Sequence, residues 1–242
     1  MDFFVQLLVN GVSIGFLYGL SAMGFVMIYK ASSVLNFAHG ELLAMGAFLF
    51  LALVTWAKLP VAAAFILTLA GTFVFGFIIE RLFLRPIIGE PLIVIIMLTV
   101  GLAAMFKGAL LLIWGGNLYT YPDILPEFLA LNWGVVHVPP VYVSAIFMGV
   151  VFLLLFGLFF KYSSQGIYMR SVADSQPAAL SLGVHVRRVF ALSWAIAALV
   201  AGISGIILGL INGINVHELI SIGLKVFPVV ILGGLDIVSG AI

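Results

Sequence analysis

Long, uninterrupted apolar runs are the feature that most limits what this chain can fold into. Seven of them lie at about residues 3–29, 37–56, 60–80, 92–114, 140–160, 189–211 and 219–242. Each is close to the ~20 residues that a helix needs to cross a hydrocarbon core, and none alternates as barrel strands do. With 64% hydrophobic and 8% charged residues, the chain also has too few polar groups to cover a water-soluble globule. The sequence therefore predicts an all-α, polytopic transmembrane helical bundle of about seven spans.

The basic residues orient these spans. They concentrate in alternate connections, and the only one on the opposite side is Lys58. Because connections rich in Lys and Arg lie on the cytoplasmic side, segment 161–188 is expected inside, and segment 115–139, which has none, is expected outside. The N-terminus is then outside. The basic residues on the expected inner side are Lys30, Arg81, Arg85, Lys161, Arg170, Arg187 and Arg188.

Global signals exclude several other classes. A net charge of +1 gives no reason to expect a nucleic-acid partner. The absence of cysteine excludes disulfides and thiolate metal sites. The start, MDFFVQLLVNG, lacks the positive region of a signal peptide, so we expect it to begin a retained span of one transmembrane domain, residues 1–242. Glycines four residues apart predict two close-packing seams, one at Gly11, Gly15 and Gly19 and one at Gly205, Gly209 and Gly213.

Segment 161–188 carries the first functional signal. Asp174 and Ser175 are suitable N-caps, Pro177 suits a first turn, and Gly183 suits a helix end. A helix over 174–183 has little apolar surface, so it would be only a weak anchor to lipid headgroups. We therefore expect a short cytoplasmic helix that binds a protein partner.

Three motifs in this chain resemble those of a known family. PAALSLG (177–183) resembles the EAA loop of ABC importer permeases, with Pro177 in place of the glutamate. NFAHGE (36–41) and GLKVFPVVILGGLDIVSGA (223–241) follow the pattern of one subgroup. In this order, the three resemble the permease of branched-chain amino-acid ABC importers, the Liv-type family, over nearly the whole chain.

The resemblance implies a division of labour among subunits. A second permease subunit would complete the path, two cytoplasmic ATPase subunits would bind below, and an extracytoplasmic substrate-binding protein would deliver the cargo. The chain has no P-loop, so ATP and Mg would be bound by the ATPases, with no cofactor on this subunit. Relatives continue past the Gly-Gly-Leu region, so a C-terminal truncation at Ile242 is also expected. The residues that the resemblance assigns to ATPase coupling are Arg170, Asp174, Pro177, Ala178, Ala179 and Gly183.

Three polar residues interrupt the second apolar run: Asn36, His39 and Glu41. On one helix His39 and Glu41 would point about 160° apart, so a His/Glu dyad is implausible. A helix that begins inside the membrane, with Asn36 as N-cap, would direct free amides towards an anion such as a carboxylate. The alternative is that these groups only cap and cross-link helices. For Glu41, placed near the cytoplasmic face, a gate or coupling role is equally open.

Two lysines lie within apolar runs. Lys107 and Lys225 are each near the outer end of a run, where a lysine can extend its ammonium to the interface. Lys225 is the better candidate for the translocation path, because it lies in the GLKVF stretch that resembles the family motif, and Pro228 three residues later can open the helix backbone.

The sequence thus favours a transporter subunit and leaves two alternatives open. A proton-coupled secondary transporter would use Glu41 and His39 and need no ATPase, whereas a related ABC permease would carry urea or amides. An enzyme is not supported, because no nucleophile and base, and no metal-ligand set, occur at suitable spacing. We expect the protein in the bacterial plasma (inner) membrane, with the lipid bilayer around it.

Overall fold

The computed structural model describes residues 2–32, 35–87, 90–122, 124, 131–133 and 136–233. A π-helix, Glu80–Leu84, and a 3-10 turn, Arg85–Ile87, continue α3, and a small antiparallel hairpin of β1 (Leu131–Trp133) and β2 (Val136–Val138) precedes α5. The predicted helical architecture is confirmed, and the hairpin was not expected. The α-helices are α1 (Asp2–Ser32), α2 (His39–Thr55), α3 (Val61–Ile79), α4 (Leu92–Trp114), α5 (Pro140–Tyr162), α6 (Ser164–Asp174), α7 (Gln176–Ser181), α8 (Val186–Asn212) and α9 (Val216–Gly233).

Five helical segments in the described ranges are long and apolar enough to cross a membrane. They are Gly11–Tyr29 within α1, Val61–Ile87, α4, α5 and α8. With 17 residues, α2 is shorter. Each of the seven apolar runs contains one helix, but α2 and α9 are not among these five.

The centre of the bundle is α8, whose span is 83% buried, compared with 17% for α4 and for α5. It packs against α1, α2 and α3. The contact with α2 depends on glycine: a Cβ at Gly205 would overlap the backbone of Leu43, and one at Gly46 would overlap Gly202. Such close approach holds helices together where lipid gives no hydrophobic drive.

The two predicted glycine seams differ in outcome. Gly205 and Gly209 pack against Leu43 and Tyr121, so the second seam is confirmed there, while Gly213, with φ 79°, ends α8. The first seam is not packed at Gly11 and Gly15 within the described part of this chain, where no other element comes within 4 Å of an added Cβ. Spacing identifies one face of a helix but does not say what covers it.

The two ends of the bundle are held differently. At one end α6 packs against α1 and α8, and the π-helix packs against α8. At the other end the Asn215 side-chain amide donates to the Gly116 carbonyl (2.9 Å), and Tyr119 pairs with Ile214. Of the C-terminal motif predicted above, residues 223–233 belong to α9, and residues 234–241 lie outside the described residues.

Candidate functional site

The polar stretch at the start of α2 forms a turn and then a helix. The Asn36 side-chain oxygen accepts the Ala38 N–H (3.0 Å), and α2 begins at His39. Asn36 is therefore not the N-cap: Ala38 is, without a side-chain cap bond. The prediction was wrong by two residues, because Asn also stabilises a turn by bonding the amide two residues on.

His39 is fixed to α1. Its Nε2 lies 3.0 Å from the Ser21 carbonyl and 3.1 Å from the Ser21 hydroxyl. A carbonyl only accepts, so the neutral ring carries its proton on Nε2 and donates to it. The other ring nitrogen, Nδ1, is buried without a hydrogen-bond partner among the described residues. The ring also makes an edge contact with Phe25 (5.7 Å between centroids).

α2 begins near the middle of the bundle. Ser21, the partner of His39, is near the middle of the Gly11–Tyr29 span. A Cβ at Gly24 would meet both the His39 ring and Ala197, which is near the middle of α8. The chain therefore returns into the bundle before α2 starts. Non-helical backbone at such depth is tolerated only inside protein or beside water.

Glu41 lies in the first turn of α2 and is only 4% exposed. Its Oε2 has no hydrogen-bond partner among the described residues. No hydrogen bond joins Glu41 to His39 in the described part of the chain, which agrees with their expected divergence. Because α2 starts near the middle of the bundle, Glu41 lies well inside it. Its gate or coupling role stays a prediction.

Lys225 lies apart from this cluster, on the outward face of α9. The opposite face of α9 is buried: Gly223 packs against Gly40 of α2, and Phe227 packs on Phe25 of α1 (4.7 Å between centroids). Lys225 lies between these two contacts, so it is at membrane depth, yet its side chain is exposed. The polar residues that share this outward face are His217, Glu218, Ser221 and Lys225.

The helix predicted over 174–183 is present in part, as the six-residue α7, and its cytoplasmic position stays a prediction. Ser175 is its N-cap, with the hydroxyl accepting the Ala178 N–H (3.3 Å), and Gly183 follows it with φ 82°. Asp174 does not cap α7, because it is the last residue of α6. Ala179 is buried. The exposed members of the predicted coupling set are Arg170, Asp174, Pro177, Ala178 and Gly183.

Two features were missed in the sequence. The first is α6, which precedes α7 and whose N-cap, Ser163, accepts the Gly166 N–H (2.9 Å). The signal in the sequence was a serine suited to an N-cap, followed at three-residue spacing by Gly166, Met169 and Val172, which the structure buries. Glu80, which opens the π-helix, is 1% exposed, and neither carboxylate oxygen has a hydrogen-bond partner among the described residues. A lone Glu ending an apolar run, with Arg five residues later, was its signal. No set of three metal-ligating side chains occurs in the described ranges.

The end of the bundle opposite α7 contains a cavity of about 610 Å³. It lies between residues 118, 120–122 and 124 and the end of α8, and Pro140 and Val141 complete it. The Tyr121 hydroxyl donates to the Ala47 carbonyl (3.0 Å), and burial raises the pKa of this phenol, so it keeps its proton. The segment is thereby held on α2.

The comparisons with known proteins agree with one another, because the matching family and the relatives are all described as permeases of branched-chain amino acid transport. The family described as "Branched-chain amino acid transport system / permease component" matches residues 7–242. One relative is BraD of Pseudomonas aeruginosa, the permease protein of a high-affinity branched-chain amino acid transport system. It is 30% identical to this chain, and the match covers 98% of this chain and 81% of the length of BraD. LivH of Escherichia coli K12 is also 30% identical (99% and 82%), and a probable LivH of Methanocaldococcus jannaschii is 28% identical (92% and 72%). No solved structure matches significantly.

Proposed function

Because this chain belongs to the family of branched-chain amino acid transport permease components, we propose that it is the membrane-spanning subunit of an ABC importer that moves branched-chain or related amino acids inward. A second permease completes the path, two ATPase subunits bind ATP and Mg at the cytoplasmic end, and an extracytoplasmic protein delivers the cargo. The chain spans the bacterial inner membrane, with α2 and α9 added to the five spans above.

The outward face of α9 is the observation that carries this proposal. A charged side chain at membrane depth costs several kcal/mol against lipid, so Lys225 requires a wetter neighbour. A path between two permeases supplies one. The Lys225 ammonium is the partner for the cargo carboxylate on this wall, and the outer cavity beside Tyr121 is where cargo enters.

The buried polar cluster has a supporting role in the same cycle. Asn36, His39 and Glu41 lie behind α9, since Gly40 between them packs on Ile220 and Gly223. Movement of α9 against α2 would expose the unpaired atoms of this cluster, which makes them path candidates in another state. A proton relay through His39 and Glu41 is less well supported, because the proton on His39 is held by Ser21.

Coupling to ATP hydrolysis takes place through α7. This helix is short, capped and mostly exposed at the end where the basic residues gather. Arg170 and Asp174 on α6 stand beside it. Docking of α7 into an ATPase would transmit the ATPase motion through α6 to α1 and α8, against which α6 packs.

The test is ATP-driven leucine uptake by the reconstituted transporter, with this chain, its partner permease, the ATPases and the binding protein in proteoliposomes. Lys225→Met should lower uptake by at least about tenfold, the value of one charge-assisted contact, while subunit assembly is unchanged. The chain has no cysteine, so Ser221→Cys can be labelled with a water-soluble maleimide. We expect it to react, while Met97→Cys on α4 does not.

Each outcome has a clear meaning. Uptake that persists without ATPase and follows a proton gradient would overturn the ABC proposal. Full uptake by Lys225→Met together with an unreactive Ser221→Cys would remove the path from α9 but leave the ABC assignment in place. An Ala178→Trp variant that still retains the ATPases would contradict the role of α7.

A further inference from the structure

A cleft beside α7 has no role so far. It lies between α6 and the start of α8, has a volume of about 250 Å³, and is bounded by the turn that follows α7. Polar side chains come from both helices and from the turn. The lining residues that carry the chemistry are Gln165, Tyr168, Leu182, His185 and Arg188.

The polar groups of this cleft suit an anion. Arg188 offers a fork of N–H donors that fits a carboxylate with two parallel bonds. His185, Tyr168 and Gln165 add further hydrogen-bond donors. No Asp or Glu is among the residues that line the cleft.

The position of Arg188 is unfavourable for α8 itself. It lies in the first turn of a 27-residue helix, where the helix dipole is positive and an arginine is disfavoured. No carboxylate forms an ion pair with Arg188 or His185 within the described ranges. The positive potential of the helix end and of the guanidinium therefore add in the cleft without an internal counter-charge.

The neighbouring surface indicates where the anion comes from. Leu182, at the mouth of the cleft, is 81% exposed, and Leu180 on α7 is 59% exposed. A protein that covers these two side chains also covers the cleft, and it removes their apolar surface from water. A lipid headgroup would fill the cleft and leave both leucines in water.

We propose that the cleft between α6 and the start of α8 receives an aspartate or glutamate side chain of the ATPase subunit, held by Arg188 with His185, Tyr168 and Gln165. This proposal rests on the proposed function, since the ATPase is the partner that docks on α7. α7 and the cleft then form a two-part contact, with apolar burial at Leu180 and Leu182 and a charge-assisted bond beside it.

The test measures binding of the purified ATPase subunits to the permease complex in nanodiscs of zwitterionic lipid. Arg188→Gln should weaken binding by roughly 10- to 100-fold, the range for one charged hydrogen-bonded pair. Arg187→Gln is the matched control: both arginines are exposed and lie in the same turn, but Arg187 does not line the cleft. It should change binding by less than about threefold, as for a surface charge.

A charge reversal identifies the occupant. Arg188→Glu should abolish tight binding, and one Asp→Lys or Glu→Lys substitution in the ATPase should restore it, whereas the same substitution should not improve binding to the Arg187→Glu variant. Equal affinities for Arg188→Gln and Arg187→Gln, or no restoring lysine at any exposed ATPase carboxylate, would overturn the proposal. An effect of Arg188→Gln seen only in nanodiscs with anionic lipid would assign the cleft to a headgroup instead. If the unchanged permease complex binds no ATPase, the proposed function fails before the cleft is tested.

Discussion

The outward faces of α4 and α9 differ in polarity, although both helices lie at the edge of the bundle. Every large exposed side chain on α4 is apolar, from Leu92 to Ile113. The exposed face of α9 has both kinds of residue: polar His217, Glu218, Ser221 and Lys225, and apolar Leu224, Ile231 and Leu232. Lipid suits the face of α4 and penalises the charged side chains of α9. On the proposed function, this difference separates a lipid-facing side of the subunit from a side that meets water and another protein.

The two helices also differ in how closely their inward faces pack against the bundle. α9 packs so closely on α2 that a Cβ at Gly223 would overlap Gly40, whereas the inward face of α4 meets the bundle only through side chains. These are Thr99, Leu102, Phe106 and Leu110. α4 makes few contacts with the rest of the bundle, and α9 packs along both α1 and α2. A helix that lines a path must be held in place, whereas one that borders lipid need not be.

The largest effect on stability is expected when a charge is placed on the outward face of α4, compared with removing a charge from the outward face of α9. Met105 is 48% exposed near the middle of α4, so Met105→Lys places a charge in lipid and should cost about 2.5–3.5 kcal/mol of stability. Lys225→Met should change stability by less than about 0.5 kcal/mol, because it removes a charge from a wet face. Thermal unfolding in nanodiscs measures both. Stabilisation by Lys225→Met of about the size that Met105→Lys costs would mean that α9 also faces lipid.

Much of this architecture could be predicted from the sequence, because apolar length is a strong signal. The seven apolar runs each contain a helix, and Gly183 follows the end of α7 with the positive φ expected of a glycine there. The functional role of Asn36, His39, Glu41 and Lys225 stays a prediction. Their geometry was only partly predictable: the divergence of His39 and Glu41 follows from helix periodicity, but the bond from His39 to Ser21 joins residues 18 apart.

What the sequence could not provide is the identity of the neighbour on each face. Gly11 and Gly15 have the same spacing as Gly205 and Gly209, yet only the second pair is packed within the chain. Hydropathy averages over a helix, so it cannot show that the polar residues of α9 gather on its outward side. The depth at which α2 begins also depends on long-range contacts, which no local pattern encodes.

A smaller effect, with opposite signs on the two helices, is expected from adding one methyl group. Gly223→Ala should destabilise the protein by about 1–3 kcal/mol, because the new Cβ overlaps the α2 backbone and neither helix can move without repacking. Gly101→Ala should be neutral or stabilise by up to about 1 kcal/mol, since alanine is the better helix former and has open space there. Thermal unfolding in the same nanodiscs measures the stability change of each variant. Destabilisation by both variants would mean that the surface of α4 at Gly101 is covered by a partner.

The smallest effect is expected where the two helices are tied together. Asn215 has two roles: its side-chain oxygen accepts the N–H groups of His217 (2.9 Å) and Glu218 (3.3 Å) at the start of α9, and its amide donates to Gly116 after α4. Asn215→Ala removes both and should cost about 1–2 kcal/mol. Asn215→Asp keeps the capping oxygens and loses only the donor, so about half of that loss should remain. If Asn215→Asp were as stable as the unchanged protein, the tie to α4 would contribute nothing, and the position of α9 would depend on α1 and α2 alone.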